Sequence, residues 1–234
     1  MKERPILFSG SMVRALLDGR KKQTRRVVKP QPSWDGRWFS WQGHAPNAQH
    51  GACAGNSLDT AQLMSHSSPY GKPGDQLYVR ETWQHSNHPL GPYDEDCLVF
   101  YRADYLDDPL GPDLELSTDG IRRQWRPSIH MPRAASRITL EVTGVRVERL
   151  QDISEADARA EGCDPEIVPA CCGEPSFESH GVYGTEIVCC GTPVEDESYV
   201  AGYRNLWDSL NAERGYGWDV NPWVWVVKFN RIGS

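Results

Sequence analysis

The densest chemistry in the chain stands near its start, in Gly19-Arg20-Lys21-Lys22-Gln23-Thr24-Arg25-Arg26. Five of these eight residues are cations, and a hydroxyl follows the first lysine by three positions. Ammonium and guanidinium groups neutralise phosphate, and a hydroxyl both donates and accepts, so the stretch suits the wall of a pocket for an anionic or base-like ligand. A second dense segment is Trp125-Arg126-Pro127-Ser128-Ile129-His130-Met131-Pro132-Arg133. It offers two guanidinium forks, a hydroxyl, an imidazole and an indole on a backbone stiffened by two prolines. His130 taken alone reads first as a structural histidine.

Two carboxylates and a set of thiols complete the inventory. Arg80 and Glu81 alternate on a predicted strand, so one of them faces inward or sits at the strand end, where pockets form. Glu161 lies in the last turn of a short predicted helix, where the helix dipole disfavours its charged form, as suits a general acid or base. An ordinary surface glutamate is the simpler reading. Cys171-Cys172-Gly173 and Cys189-Cys190-Gly191 are near-duplicates with sixteen residues between the pairs. Two such turns facing each other would close a structural zinc site through Cys171, Cys172, Cys189 and Cys190, with Cys163 and His180 as substitute ligands. Adjacent cysteines chelate less readily than a C-x-x-C knuckle, so free thiols and disulfides stay open as alternatives.

These groups need elements to position them. Pro5-Ile6-Leu7-Phe8 predicts a strand; Ser9 or Ser11 then caps a helix carrying Met12, Val13, Leu16 and Leu17, which Gly19 ends. If Lys21 to Thr24 were all regular strand, the two side chains would point to opposite faces, so one shared pocket demands that the backbone turn between them. Strands are predicted over 76–83 and 97–102, and a long one over 137–150 in which Gly144 interrupts the alternation and marks a bulge or bend. Ser154 caps a compact helix ended by Gly162, and Val200, Tyr203, Leu206, Trp207 and Leu210 predict an amphipathic helix. The apolar run 221–229 closes the chain as a core strand with Trp223 and Trp225 on one face. Residues 30–70 and 164–198 read as insertions in one elaborated domain spanning 1–234. The aromatics of the first insertion more often pin a loop than stack on bases.

Composition bounds the function. The 234 residues are 38% hydrophobic with mean hydropathy −0.60, and no apolar run approaches the roughly 18–20 residues of a membrane span. With no secretory signal at the N-terminus, a cytoplasmic protein is expected. The net charge of −7 is unevenly spread: residues 1–38 hold ten Lys/Arg against three Asp/Glu, and residues 150–199 hold one Arg against twelve Asp/Glu. A basic head on an acidic body attracts phosphate locally without binding nucleic acid everywhere.

The combination Gly19-Arg20-Lys21-x-x-Thr24-x-Arg26, Gly74-Asp75 entering a strand, the long strand, the 154–161 helix and the C-terminal strand resembles the ASCH domain, a relative of PUA-like domains. Arg4-Pro5-Ile6-Leu7-Phe8-Ser9, Val79-Arg80-Glu81-Thr82-Trp83, His130-Met131-Pro132-Arg133 and Tyr203-x-x-Leu206-Trp207-x-Ser209-Leu210-Asn211 are similar to the long ASCH-type proteins of tailed bacteriophages and prophages. The resemblance implies an α+β fold, a strongly curved β-barrel flanked by helices, with a cleft suited to RNA, nucleosides or modified bases. In the small bacterial branch that hydrolyses N4-acetylcytidine, a Lys, a Thr and a Glu do the chemistry; the matching positions here are Lys21, Thr24 and Glu161. Glu161 would take a proton from Thr24 or water while Lys21 stabilises the oxyanion on the amide carbonyl. Arg25, Arg26, Arg80, Glu81, Trp125, Ser128, His130 and Arg133 are the candidate ligand and phosphate contacts.

Three functions follow as expectations. The first is recognition of RNA, a nucleotide or a modified nucleoside. The second is hydrolysis, by an amidohydrolase acting on N4-acylated cytidine or by a ribonuclease. The third is engagement of a host protein by the acidic, cysteine-containing insert.

Overall fold

The computed structural model describes residues 1–34, 39–40, 68–87, 91–107, 125–170, 181–183, 186–188 and 194–232. Alternating apolar residues build the central layer. Strands β1 (Glu3–Leu7), β2 (Gln23–Val27), β3 (Gln76–Arg80), β6 (Thr139–Arg149) and β9 (Trp223–Ile232) form one five-stranded sheet in the order β1-β3-β6-β9-β2. The β1–β3 pair is parallel and the other three pairs are antiparallel. Short strands β4 (Trp83–His85) and β5 (Val99–Tyr101) pair beside the sheet. Strands β7 (Glu166–Ala170) and β8 (Val194–Ser198) also pair, so the 164–198 insertion leaves and returns as an antiparallel ribbon. The protein is thus α+β with a multistranded mixed sheet, and no closed barrel is formed among the described residues.

β9 explains its own composition. Trp225, Val227 and Phe229 enter one core with Ile6, Phe8, Leu77 and Leu140, while Val224 and Val226 enter a second core with Ala158, Tyr203 and Trp207. A strand covered on both faces reads as a continuous apolar run rather than an alternating one. Its partner β6 carries the irregularity expected at Gly144: the register shifts between Lys228 and Phe229, opposite Gly144 and Val142. The two edges of the sheet come near each other, because the Arg26 guanidinium on β2 donates to the Leu7 carbonyl on β1.

Helix α1 (Gly10–Leu17) is capped by Ser9, whose Oγ accepts from Met12 N, and Gly19 turns the chain out of it at φ +73°. Helix α2 (Glu155–Ala160) is capped by Ser154, and helix α3 (Tyr199–Asn211) by Ser198. Each cap satisfies a backbone N–H that the first helical turn leaves without a partner. Glu155 of α2 adds a carboxylate at the start of α3, accepting from Tyr199 N at 2.7 Å, where the helix dipole favours negative charge. The Asp75 carboxyl ties the start of β1 to the turn before β3, accepting from Lys2 N and Arg4 Nη1. Those bonds, the Lys2 N–H foremost, hold it below the usual carboxylate range.

The segment between α1 and β2 is clamped on three sides. Lys21 N–H donates to Ala15 O, Lys22 N–H to Ala160 O, and Phe229 N–H to Lys22 O. α2 can approach this closely only because a glycine follows it. Gly162 has φ +79°, and a Cβ there would lie 2.8 Å from Ala15 Cβ and 2.9 Å from Lys21 Cβ. Gly162→Ala therefore combines left-handed backbone strain with overpacking, and is expected to cost about 2–4 kcal/mol in urea unfolding. A loss below about 1 kcal/mol would show that the α2 end relaxes freely.

Candidate functional site

β2 decides where the basic stretch points. Because the strand runs only from Gln23 to Val27, Lys21 precedes it in backbone that is neither strand nor turn. Thr24 and Arg26 then face the first core and Arg25 faces the second, following the register Thr24↔Val227, Arg25↔Val226 and Arg26↔Trp225.

Lys21 and Glu161 do meet. The Lys21 ammonium donates to Glu161 Oε2 at 3.0 Å and to the Glu161 carbonyl at 2.7 Å. The other carboxylate oxygen accepts from Arg25 Nη1 at 3.1 Å. Arg25 Nη2 goes on to Glu148 and Asp157, and Arg146 bridges the same two carboxylates at 2.7 and 2.6 Å. Side-chain exposure is 0% for Lys21 and Arg25 and 2% for Glu161, so the centre of the cluster is closed to solvent, while Glu148, Asp157 and Arg146 reach its partly exposed rim. Glu161 is therefore no surface residue, despite its place at a helix end.

Burial sets the electrostatics. Desolvation pushes the Lys21 ammonium below its ordinary pKa, although Glu161 opposes the shift. The Tyr203 phenol, packed on the same cluster, is pushed well up by burial and then by the Glu161 charge. Burial also works against the Asp157 carboxylate, but Arg146 and then Arg25 outweigh it and hold its pKa below the ordinary value. Cys163 is raised to about 11 by burial and by Glu161; its thiol points at the carbonyls of Ala158 and Tyr199. A thiol kept protonated is a slow nucleophile.

A second arrangement lies where the sheet edges approach. Arg26 sits over the Phe8 ring at 5.2 Å and interacts electrostatically with Tyr70. Arg80, registered opposite Leu7, lies over Tyr78 at 5.5 Å and donates to the Ile129 carbonyl and to the Tyr78 hydroxyl. Neither Arg26 nor Arg80 has a carboxylate partner among the described residues, and each keeps a buried Nε–H without an acceptor there. Arg133 covers the same Tyr78 ring at 5.3 Å and is held by Glu3 and Thr139. His130 and Ile129 stand exposed beside them.

No family model, curated protein or solved structure matches the chain. The site rests on its own geometry.

The remaining candidates divide. Glu81 turns inward to a bidentate pair with Arg137 at 2.9 and 3.1 Å, and Arg137 also grips Asp104, away from Arg80. Trp125 packs against Tyr105 with ring centroids 6.0 Å apart. The Ser128 carbonyl accepts from Met131 N and shapes the turn that carries Ile129. Cys171, Cys172, Cys189, Cys190 and His180 lie outside the described residues, and among the described residues no group of three His, Cys, Asp or Glu is placed to hold a metal ion. No helix there is long and apolar enough to cross a membrane.

Glu148, Asp157 and Arg146 were not among the sequence candidates. Their only signal is Arg146 and Glu148 two apart on a predicted strand, an alternation that any exposed strand face also carries.

Two outcomes follow. Glu161→Gln removes the anion that holds two buried cations, and is expected to cost about 3–5 kcal/mol in chemical unfolding. For Asp157 the folded pKa lies below the reference 3.8, so its stabilising contribution is complete above that value and is lost as pH falls through the folded one. Asp157→Asn should therefore flatten the decline of stability below about pH 4 in an acid titration followed by circular dichroism.

Proposed function

We propose that this protein recognises RNA or a modified nucleotide through the basic, aromatic end of the sheet where β1 and β2 approach, with Arg26 on the core side of the sheet and Arg80 and Tyr78 on the other. The observation that carries the reading is the contrast between neighbouring arginines. Arg25 and Arg137 are neutralised by carboxylates, whereas Arg26 and Arg80 lie over aromatic rings with no counter-carboxylate among the described residues. Guanidinium groups held over Phe8 and Tyr78 offer forks for phosphate and planar surfaces for bases, the combination that single-stranded nucleic acid needs. The approach of β1 and β2 through Arg26 and Leu7 supports a PUA-like curved sheet as the frame of that end.

A fluorescence-anisotropy titration with a labelled single-stranded RNA tests this. The Arg80→Ala, Arg133→Ala double variant should bind at least about tenfold more weakly, with the slope of log K against log salt reduced by about 0.7 for each phosphate that the variant no longer neutralises. Equal binding by the variant, or no salt dependence in the parent, would sink the reading.

A second reading, hydrolysis of an N4-acylated cytidine, is favoured by the meeting of Lys21 with Glu161. Its chemistry is constrained by the same bonds. Both carboxylate oxygens of Glu161 are occupied by cations, so Glu161 acts as a base only after one of those bonds opens. Turnover of N4-acetylcytidine that vanishes in both Lys21→Ala and Thr24→Ala, while circular dichroism stays unchanged, is the outcome this reading requires.

A further inference from the structure

A separate cleft of about 450 Å3 opens on the outer side of α2, between the turn after α1 and the start of α3. Arg20, Lys22, Arg159, Asp164, Pro165 and Tyr199 are among its lining residues. The buried Lys21–Glu161 cluster is not part of its wall. Three of the six are cations and one is an anion, and the pairing is uneven. Arg20 is occupied by Asp18 at 3.5 Å and by Asp164 at 3.3 Å. Lys22 and Arg159, both exposed, form no ion pair among the described residues, and Arg159 has only the Tyr199 ring, at 5.6 Å.

The two unpaired cations are mounted on fixed backbone. Lys22 N–H donates to Ala160 O, and its carbonyl accepts from Phe229 N–H, which ties it to α2 and to β9. Arg159 lies on α2 itself, and Glu155 of the same helix holds the backbone of Tyr199. Arg20 reaches the carbonyl of Gly162 at the end of α2. The backbone that carries these cations is therefore fixed before any ligand arrives, while their exposed side chains are ordered only on binding. Cys163, which also borders the cleft, stays protonated and adds no opposing charge.

We propose that this cleft binds a phosphate-bearing nucleotide, with the phosphate between Lys22 and Arg159 and the rest of the ligand against Tyr199 and Pro165. An inorganic anion fills only a small part of such a volume, whereas ligand clefts of roughly 300–1,000 Å3 take whole small molecules. The lining joins exposed cations to the Tyr199 ring and Pro165, which matches a ligand that carries both a charged and a planar or apolar group. The nucleotide is either free or the terminal nucleotide of a strand. The site is distinct from the Arg26–Arg80 end of the sheet, so each stands or falls by its own variant.

Calorimetric titration of the full chain with UMP and AMP, with uridine and adenosine as phosphate-free controls, tests the proposal. The nucleotides should bind at least about tenfold more tightly than the nucleosides, and Lys22→Ala with Arg159→Ala should weaken them by about ten- to a hundredfold. Both side chains are exposed and unpaired, so the melting temperature of the variant should match the parent. The loss caused by Lys22→Ala with Arg159→Ala should be the same whether or not the chain also carries Arg80→Ala and Arg133→Ala, as expected of two independent sites. Preference for a 5′-phosphorylated over a 5′-hydroxyl oligoribonucleotide would assign the cleft to a strand end, and indifference together with UMP or AMP binding would assign it to a free nucleotide. No nucleotide binding, equal binding of nucleotide and nucleoside, inorganic phosphate binding as tightly as UMP, or a variant that binds like the parent would each overturn it.

Discussion

One carboxylate holds the centre of this molecule together. Glu161 stands at the end of α2 and shares its two oxygens between Lys21 and Arg25, in a place that solvent does not reach. Two buried cations without an anion would cost several kcal/mol each, and the attraction repays that cost only when nearly every donor finds an acceptor. Here the Glu161 carbonyl takes part of the Lys21 ammonium, and Glu148 and Asp157 take Arg25 Nη2, while the buried Arg25 Nε–H has no acceptor among the described residues. The network joins α2 to the strands β2 and β6, and it leaves little freedom in how the helix docks.

That docking has consequences on both sides of α2. Inward, Gly162 must be a glycine because the Lys21 and Ala15 side chains pass against it. Outward, the end of α2 receives the backbone of Lys22 and the guanidinium of Arg20, which places cations in the lining of the outer cleft. The interaction that neutralises Lys21 thus also positions the backbone of its neighbour Lys22, whose charge has no ion-pair partner among the described residues. Adjacent lysines in the chain end in opposite electrostatic environments.

The same division runs through β2. Arg25 and Arg26 look equivalent as letters, but a strand sends consecutive side chains to opposite faces. Arg25 is directed toward three carboxylates and Arg26 toward a phenylalanine and the opposite edge of the sheet. A basic run in a sequence measures charge per residue; what a ligand meets is the charge left after internal pairing. Arg137 illustrates this again, since its pairs with Glu81 and Asp104 remove it from any anion site.

Much of the local structure was legible from the chain alone. Ser9 and Ser154 cap their helices, and Gly19 and Gly162 take the left-handed conformation after them, because these features depend on a few adjacent residues. The bulge near Gly144 and the doubly buried strand at the C-terminus could be read for the same reason, through alternation and its interruption. The meeting of Lys21 with Glu161 came from a resemblance rather than from spacing. The partners that complete it, Glu148, Asp157 and Arg146, carry no local signal. Sequence by itself determined the elements, their caps and the supply of charge, which are short-range properties of the backbone and of side-chain type. Tertiary structure decided which charges cancel, because Coulomb attraction acts between groups more than a hundred residues apart in the chain and only packing sets their separation.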